Sequence, residues 1–230
     1  MTDLHTHILP GMDDGAPDVE TALKMLEAQA KQGVKTVALT PHFYRNKEHI
    51  SDFLERRETA WINLQNNIKS KELPRVILAA EVAYVPGMFE WQELDRLCYQ
   101  GTKLLLVEPP MTPWNGEMLR QLYALESRCG ITPMIAHFDR YLGIQSNSYI
   151  NQMIETGFPL QISAFALQNF FVRGKAMKLL TDYNAVLVSD CHNITTRPPN
   201  MGAASGILMK KLGSKAEKVL QYAGEIICGL

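Results

Sequence analysis

The sequence predicts an α/β fold, a distorted TIM-like barrel of seven strand and helix units, one fewer than the eight-stranded β/α barrel has. Two observations support this prediction. Seven short apolar runs alternate with segments of helical periodicity, and strands buried on both faces of a parallel sheet have this continuous apolar character. Six of the seven runs end in His, Glu or Asp, and reactive groups in such barrels gather at the carboxyl ends of the strands.

The first unit opens with a His-x-His pair. Alternate side chains of a strand point to the same face, so His5 and His7 are expected to share one face. A helix is expected over residues 17–32, because apolar residues recur at helical spacing, Pro17 suits its first turn and Gly33 ends it. The next strand, residues 34–40, is rich in β-branched residues, and Pro41 breaks it.

The same cycle repeats along the rest of the chain. Short apolar runs predict further strands at residues 76–80, 103–107, 131–136, 158–163 and 185–189. Helical periodicity predicts helices at residues 48–70, 88–99, 115–128, 147–156, 174–183, 201–211 and 214–228. Strand 158–163 is the one strand whose end has neither a charged side chain nor an imidazole.

Composition indicates one enzyme-sized domain over residues 1–230. The chain has 46% hydrophobic residues and a formal net charge of -1, so no basic surface for nucleic acid is expected. The start of the chain lacks a signal-peptide pattern, and the longest uncharged run, residues 156–172, contains several polar residues. We therefore expect a cytoplasmic protein without membrane insertion. The four cysteines are widely spaced and are expected to be free thiols.

Nine polar residues lie at or just after the strand ends and offer imidazole or carboxylate groups. They are His5, His7, Asp14, His42, Glu81, Glu108, His137, Asp190 and His192. So many such groups around one barrel mouth would raise one another's free energy unless cations pair with them. Nitrogen and carboxylate donors without thiolate suit Mn, Fe, Co or Zn. Nine donors are too many for one ion, so two or three ions are expected, with Glu81 or Asp190 as a bridging ligand.

Two arginines follow these residues closely and predict a phosphate substrate. Arg140 comes three residues after His137, and Arg197 comes five residues after His192. A guanidinium can bind phosphate with two hydrogen bonds, and clustered metal ions typically hydrolyse phosphate esters through a metal-bound hydroxide. Arg45 either joins this pair or is simply solvated.

These motifs, in this order, resemble the polymerase and histidinol phosphatase (PHP) superfamily, and within it the bacterial protein tyrosine phosphatases of capsular and exopolysaccharide operons. The resemblance spans nearly the whole chain and rests on several stretches. They are His5-Thr6-His7-Ile8-Leu9-Pro10-Gly11-Met12-Asp13-Asp14-Gly15, Thr40-Pro41-His42, Ala80-Glu81, Val107-Glu108, Ala136-His137-Phe138-Asp139-Arg140-Tyr141, Ser189-Asp190-Cys191-His192-Asn193, Arg197-Pro198-Pro199 and Lys218-Val219-Leu220-Gln221-Tyr222-Ala223-Gly224-Glu225.

The resemblance implies a (β/α)7 barrel with a trinuclear site, usually loaded with Mn. It implies that all nine residues are metal ligands and that Arg140 and Arg197 bind phosphate. The implied substrate is the tyrosine-rich tail of a bacterial tyrosine kinase that controls polysaccharide export. The chain departs from the family pattern at Asp139, where Glu is expected, and over Phe165 to Val172, where relatives tend to carry small residues and Gly.

Two alternatives to a protein tyrosine phosphatase stay open at this stage. The same metals would serve a small-molecule phosphatase of the histidinol phosphatase type, or a phosphodiesterase. The chain could instead be a regulatory, kinase-binding protein with a vestigial site, although a degenerate site should have lost some of the nine residues.

Several other residues receive plainer interpretations. Cys191 and Arg197 have the spacing of a cysteine-dependent tyrosine phosphatase, but the intervening segment has no Gly and Asp190 precedes it, so the match is interpreted as chance. Asp13 is expected to be a turn residue or an acceptor behind a ligand, Asp3 could orient an imidazole, and His49 is expected at the surface.

Overall fold

Parallel strands alternate with helices in the computed structural model, which describes residues 1–69 and 72–228. The strands are β1 (Thr2–Asp3), β2 (Thr36–Leu39), β3 (His42–Phe43), β4 (Arg75–Leu78), β5 (Glu81–Ala83), β6 (Leu104–Glu108), β7 (Thr132–Ile135), β8 (Leu160–Ser163) and β9 (Ala185–Val188). They form one sheet in the order β1-β2-β4 and another in the order β3-β5-β6-β7-β8-β9. Each strand pair in these sheets is parallel. The prediction of an α/β fold with parallel sheets is therefore confirmed.

Two of the predicted units are broken into paired segments that belong to different sheets. Strand 34–40 becomes β2, and after the break at Pro41 the chain continues as β3. Strand 76–80 ends as β4, and the chain continues at Glu81 as β5. Proline cannot donate a backbone hydrogen bond, which favours a break at Pro41. As a result, His42 and Glu81 pair directly in the second sheet.

The helices are α1 (Val19–Lys31), α2 (Ile50–Asn67), α3 (Gly116–Cys129), α4 (Asn147–Glu155), α5 (Ala164–Gln168), α6 (Phe170–Asp182), α7 (Met201–Leu212) and α8 (Lys215–Cys228). Helix α1 begins after Asp18, whose carboxylate accepts a hydrogen bond from the N–H of Thr21 at 2.8 Å. Pro17 therefore precedes the helix instead of lying in its first turn. The predicted end of the second helix at residue 70 lies outside the described residues.

Two helical predictions differ from the structure, and two short helices of the structure were not predicted. The expected helix 88–99 is wrong, since two short 3-10 helices, Met88–Glu90 and Leu94–Leu97, occupy this region. Gly87 and Glu93, with φ of 83° and 61°, are left-handed and interrupt any longer helix. A 3-10 helix at Phe138–Gly143 and helix α5 were not expected. Helix α6 begins at Phe170, before the predicted start at residue 174. The exposed aromatic side chains in its first turn disturb the amphipathic pattern, so periodicity does not predict this turn.

The start of the chain lies beside the last strand. The carboxylate of Asp3 accepts hydrogen bonds from the N–H of Ser189 at 3.0 Å and from the side-chain amide of Gln29 at 2.6 Å. The N–H of Asp190 donates to the carbonyl of His5 at 3.0 Å, and the N–H of His7 donates to the carbonyl of Cys191 at 2.9 Å. These bonds bring the first and last predicted ligands to the same edge. Within the described chain, no helix is both long and apolar enough to span a membrane.

We predict that Gly15→Ala strongly destabilises the fold. A Cβ at residue 15 would lie 2.0 Å from the carbonyl oxygen of His7, a backbone atom that cannot move without shifting the His-x-His segment. We expect a loss of about 3 kcal/mol in the free energy of unfolding. Urea denaturation in excess chelator would measure it without a contribution from bound metal.

Gly206→Ala is the matched control, because a Cβ there meets nothing within 4 Å and Ala is favoured in a helix. Equal stability of Gly15→Ala and Gly206→Ala would contradict the close packing of the loop on His7.

Candidate metal centre

The nine strand-end residues lie together, although they are spread over the sequence from residue 5 to residue 192. Each has an imidazole nitrogen or carboxylate oxygen within 4.0 Å of a donor atom of another member. The breaks after β2 and β4 contribute His42 and Glu81, and the ends of β6, β7 and β9 contribute Glu108, His137 and Asp190. We call these nine residues the strand-end cluster.

Glu81 occupies the middle of the strand-end cluster. Its Oε2 atom lies 3.1 Å from His5 Nε2, 3.3 Å from His7 Nε2 and 3.0 Å from His42 Nδ1. None of these approaches has hydrogen-bond geometry, so Oε2 lacks a hydrogen-bond partner within the described residues. The other oxygen, Oε1, lies 3.0 Å from His137 Nε2. A buried carboxylate surrounded by imidazole nitrogens in this way requires positive charge between them.

Three subsets of the strand-end cluster have donor atoms close enough to share one cation each. They are His7, Asp14, His42 and His192; His5, His7 and Glu81; and His42, Glu81 and Glu108, with donor atoms within 4.8 Å of one another in each subset. Glu81 belongs to two of these subsets. This arrangement suits a carboxylate that bridges neighbouring ions.

The tautomers of His5 and His7 provide a direct test of whether the site fits a metal. His5 Nδ1 lies 2.7 Å from the side-chain oxygen of Gln161, and His7 Nδ1 lies 2.7 Å from the carboxylate of Asp13. Because both partners accept, both Nδ1 atoms carry the proton and each neutral ring keeps a lone pair on Nε2. These two Nε2 atoms lie 3.1 Å apart. Two facing lone pairs repel each other unless a proton or a metal ion lies between them, so with both rings neutral the residues fit a metal.

Gln161 is a positioning residue that the sequence analysis does not predict. Its amide nitrogen donates to the hydroxyl of Tyr99 at 3.1 Å, and that hydroxyl donates to the carbonyl of Leu4 at 2.7 Å. The amide oxygen therefore faces His5. Gln161 lies in the strand without a reactive end, and its signal is only a single amide in an apolar run. Asp13 behaves as expected, as an acceptor behind His7.

One side of the cluster is open to solvent. The side chain of Asp14 is 65% exposed, and its Oδ1 atom lies 3.6 Å from His42 Nε2 and 3.5 Å from His192 Nε2. Glu108 is 22% exposed and lies 3.4 Å from His137 Nε2. His5, His7 and Glu81 are buried beneath them. A ligand can therefore approach from the side of Asp14 and Glu108.

The electrostatics of the cluster favour positive charge. Burial alone would lower the pKa of His7, but Asp13, Asp190 and Glu81 outweigh it and hold this pKa well above its usual range. Burial is likewise outweighed at His137, where Glu108 and Glu81 raise the pKa to about 9. Although burial acts to raise the pKa of Glu81, the neighbouring imidazoles hold it well below its usual range. Protons on His7 and His137 thus supply positive charge that a divalent ion would provide instead, whereas burial and the charge of His7 lower the pKa of His192 to about 4.

Two cluster residues adopt a backbone conformation that is uncommon for side chains with a Cβ. His137 has φ of 28° and Asp190 has φ of 52°. Each such residue costs about 1–3 kcal/mol and persists only where the surrounding structure holds it. Each residue comes two positions after the end of a strand of the second sheet, His137 after β7 and Asp190 after β9. The bend turns their side chains toward the cluster.

The two predicted phosphate-binding arginines converge on Asp190. Arg197 Nη2 donates to Asp190 Oδ2 at 2.8 Å, and Arg140 Nη2 forms an ion pair with the same oxygen. The other oxygen, Oδ1, lies 3.5 Å from the Nε2 atoms of both His5 and His7. Asp190 therefore joins the arginine pair to the imidazoles. Both arginine side chains are 38% exposed, so they remain accessible to an anion.

Arg45 lies apart from this pair. It approaches His49 Nδ1 at 3.2 Å and the ring of Trp91 at 5.9 Å. Asp3, which the sequence left as a residue that could orient an imidazole, instead accepts hydrogen bonds from the backbone N–H groups of His5 and Ser189. Asp139 accepts a hydrogen bond from the N–H of Ser163 at 2.7 Å. This bond ties the end of β8 to the 3-10 helix that carries Arg140.

The structure supports the interpretation of the Cys191 and Arg197 spacing as chance. Cys191 is buried, and burial raises the pKa of its thiol. The N–H groups of Thr195, Thr196 and Arg197 donate to Asn193 Oδ1 at 2.9, 2.7 and 3.0 Å. A cysteine-dependent phosphatase loop needs free backbone N–H groups for phosphate and a thiolate nucleophile. This segment offers neither.

We predict that Gln161→Leu weakens metal binding without unfolding the protein. Leucine removes the acceptor that fixes the His5 tautomer, and loss of such a partner typically reduces metal affinity by roughly 10–100-fold. Titration of the metal-free protein with Mn²⁺, followed by calorimetry, measures this affinity. Gln145→Leu is the matched control, because Gln145 is also buried but bonds Trp114 and Thr112. Equal Mn²⁺ affinity in both variants would show that Gln161 does not position a ligand.

Comparisons with known proteins identify the family. A model described as capsular polysaccharide synthesis, CpsB/CapC, matches residues 1–227. The chain is 32% identical to tyrosine-protein phosphatase YwqE from Bacillus subtilis strain 168, covering 99% of this chain and 91% of the relative. It is 30% identical to tyrosine-protein phosphatase CpsB from Streptococcus pneumoniae, covering 96% and 94%.

A solved structure supports the same relationship. It comes from work on Bacillus subtilis YwqE and Streptococcus pneumoniae CpsB, described as unique metal-dependent tyrosine phosphatases. It matches with a TM-score of 0.79 at 26% identity, covering 98% of this chain and 93% of that chain. The chain therefore belongs to the CpsB/CapC family of capsular polysaccharide synthesis.

Proposed function

We propose that this protein is a metal-dependent protein tyrosine phosphatase. The observation that carries the proposal is the strand-end cluster of nine imidazole and carboxylate residues, in which four imidazoles surround the buried Glu81, beside two accessible arginines. The relatives named as tyrosine-protein phosphatases support the same activity. The match to metal-dependent tyrosine phosphatases supports the dependence on metal.

The strand-end cluster would hold two or three divalent transition-metal ions, and we propose Mn, with Fe, Co and Zn as chemically similar alternatives. The donor set of imidazole nitrogen and carboxylate oxygen supports these metals. Such ions lower the pKa of water and offset the charge of a phosphoryl group when they are bound. Glu81, which faces two of the donor subsets, is our candidate for the bridging ligand.

The other residues of the site have separate tasks in the proposed reaction. Arg140 and Arg197 bind the phosphoryl oxygens, since guanidinium groups can each donate two hydrogen bonds to phosphate. In the absence of phosphate, Asp190 holds both guanidinium groups at the edge of the cluster. Gln161 and Asp13 keep the Nε2 atoms of His5 and His7 free to bind metal.

The substrate we propose is a phosphotyrosine-bearing protein, namely the C-terminal tail of a bacterial tyrosine kinase that controls polysaccharide synthesis or export. The family description, capsular polysaccharide synthesis, supports this context. We also propose that residues 1–230 form one domain and that the two sheets close into a seven-unit barrel. Hydrogen bonds between the first segment and the end of β9 support closure. A cytoplasmic location stays a prediction from the sequence.

We predict that purified protein releases phosphate from phosphotyrosine peptides with Mn²⁺ and that chelator abolishes this activity. We also predict that His137→Ala reduces the activity by more than about 100-fold. His137 lies 3.0 Å from Glu81 and 3.4 Å from Glu108, so its loss removes a metal donor. Phosphate release and metal content by mass spectrometry measure the two effects.

His49→Ala is the matched control, because His49 lies near a helix start outside the cluster. Normal activity of His137→Ala would contradict the assignment of this ligand. Faster turnover of histidinol phosphate than of the phosphotyrosine peptide would favour a small-molecule phosphatase. Absence of both metal and aryl phosphatase activity would favour a regulatory protein with a vestigial site.

We predict that Cys191→Ser retains activity within about 3-fold of the wild type. The thiol lies 3.6 Å from the amide of Gln29 and is remote from solvent, so a serine hydroxyl can bond the same amide. Phosphate release from a phosphotyrosine peptide measures the result. Complete loss of turnover with metal content unchanged would instead implicate a cysteine nucleophile.

A further inference from the structure

Helices α5 and α6 expose three phenylalanine rings close to the arginine pair. Phe165 is 65% exposed, Phe170 is 80% exposed and Phe171 is 90% exposed. Grouped apolar side chains at the surface of a protein commonly mark a site of interaction.

Two adjoining cavities connect the arginine pair with this segment. The inner cavity, about 180 Å³, is lined by Phe165 together with Arg140, Asp190 and Arg197. The outer cavity, about 380 Å³, is lined by Phe165, Phe171, Val172 and Leu142, again with Arg140. Arg140 and Phe165 line both cavities, so the two adjoin, and we call them together the groove. Phe170 lines neither.

We propose that this groove binds the substrate peptide and selects an apolar, preferably aromatic, side chain within two residues of the phosphotyrosine. The proposal rests on the proposed phosphatase function. The inner cavity receives the phosphotyrosine, whose phosphate meets Arg140 and Arg197 and whose ring meets Phe165. The outer cavity then receives the neighbouring side chain against Phe171 and Val172.

The chemistry of the two cavities supports this division. The inner cavity combines two guanidinium groups with one aromatic ring, which matches a dianionic phosphate on an aromatic ring. The outer cavity presents the apolar side chains of Leu142, Phe165, Phe171 and Val172, and the polar residues Asp139, Arg140, Asn169 and Lys175 also line it, so it offers apolar surface to a neighbouring side chain. Residues along an extended peptide advance by about 3.3 Å each, so a side chain one or two positions away can reach an adjoining cavity.

The test compares two phosphotyrosine peptides of equal charge. The apolar peptide carries Leu and Phe within two positions of the phosphotyrosine, and the other peptide carries Gly at the same positions. For the wild type with Mn²⁺ we expect about 10-fold higher kcat/KM for the apolar peptide, mainly through KM. Phe171→Ala should reduce this ratio to about 2-fold or less. Turnover of p-nitrophenyl phosphate, which has no neighbouring residue, is measured for each variant to separate a loss of peptide selection from a loss of the phosphatase site.

Phe170→Ala is the matched control, since Phe170 belongs to the same helix and is similarly exposed but does not line the groove. This variant should keep the 10-fold preference. Binding of the same peptides with a non-hydrolysable phosphotyrosine mimic, followed by fluorescence anisotropy, should give the same order of affinities.

Equal kcat/KM for the two peptides in the wild type would overturn the proposal, as would equal losses in Phe170→Ala and Phe171→Ala. Size-exclusion chromatography provides a further check: a wild-type dimer that Phe171→Ala dissociates would assign the rings to self-association and overturn the proposal. Either result leaves p-nitrophenyl phosphate turnover intact. Failure of the proposed phosphatase function would instead abolish that turnover, so the two failures are distinguishable.

Discussion

The site depends on one buried carboxylate, that of Glu81. A carboxylate removed from water is costly unless opposite charge and hydrogen bonds compensate. At Glu81 the compensation comes from imidazole nitrogens of His5, His7 and His42 at 3.0–3.3 Å from one oxygen. Although burial acts to lower the pKa of His7 and of His42, the neighbouring carboxylates raise both pKa values and favour protonated rings, and a divalent ion would balance the charge with the rings neutral. The cluster is therefore arranged for cations before any substrate arrives.

Much of the surrounding structure serves to aim these groups. The breaks after β2 and β4 transfer His42 and Glu81 to the second sheet, where they pair in register. Gln161 and Asp13 fix the tautomers of His5 and His7 from behind. The left-handed backbone at His137 and Asp190 turns their side chains inward at a cost in local free energy. Such strain persists only where the surrounding structure holds these residues in place.

Asp190 connects the cation site with the surface that meets substrate. One of its oxygens faces the imidazoles, and the other holds both arginines. The groove continues from these arginines past Phe165 to the exposed ring of Phe171. Arg140 lines both cavities, so one of the two arginines proposed to bind phosphate also borders the surface proposed to meet the neighbouring side chain.

The sequence by itself determined the parallel α/β class, the positions of most elements and the nine residues that meet in the cluster, because strand ends and apolar periodicity are local signals. The broken strands, the 3-10 helices of residues 88–97 and helix α5 were not predictable from periodicity. Only the tertiary structure decided that Gln161 supports His5, that Asp3 bonds backbone N–H groups, and that Asp190 holds both arginines. Each includes a contact between residues at least 50 positions apart, namely Gln161 with His5, Asp3 with Ser189 and Asp190 with Arg140, which no local pattern records.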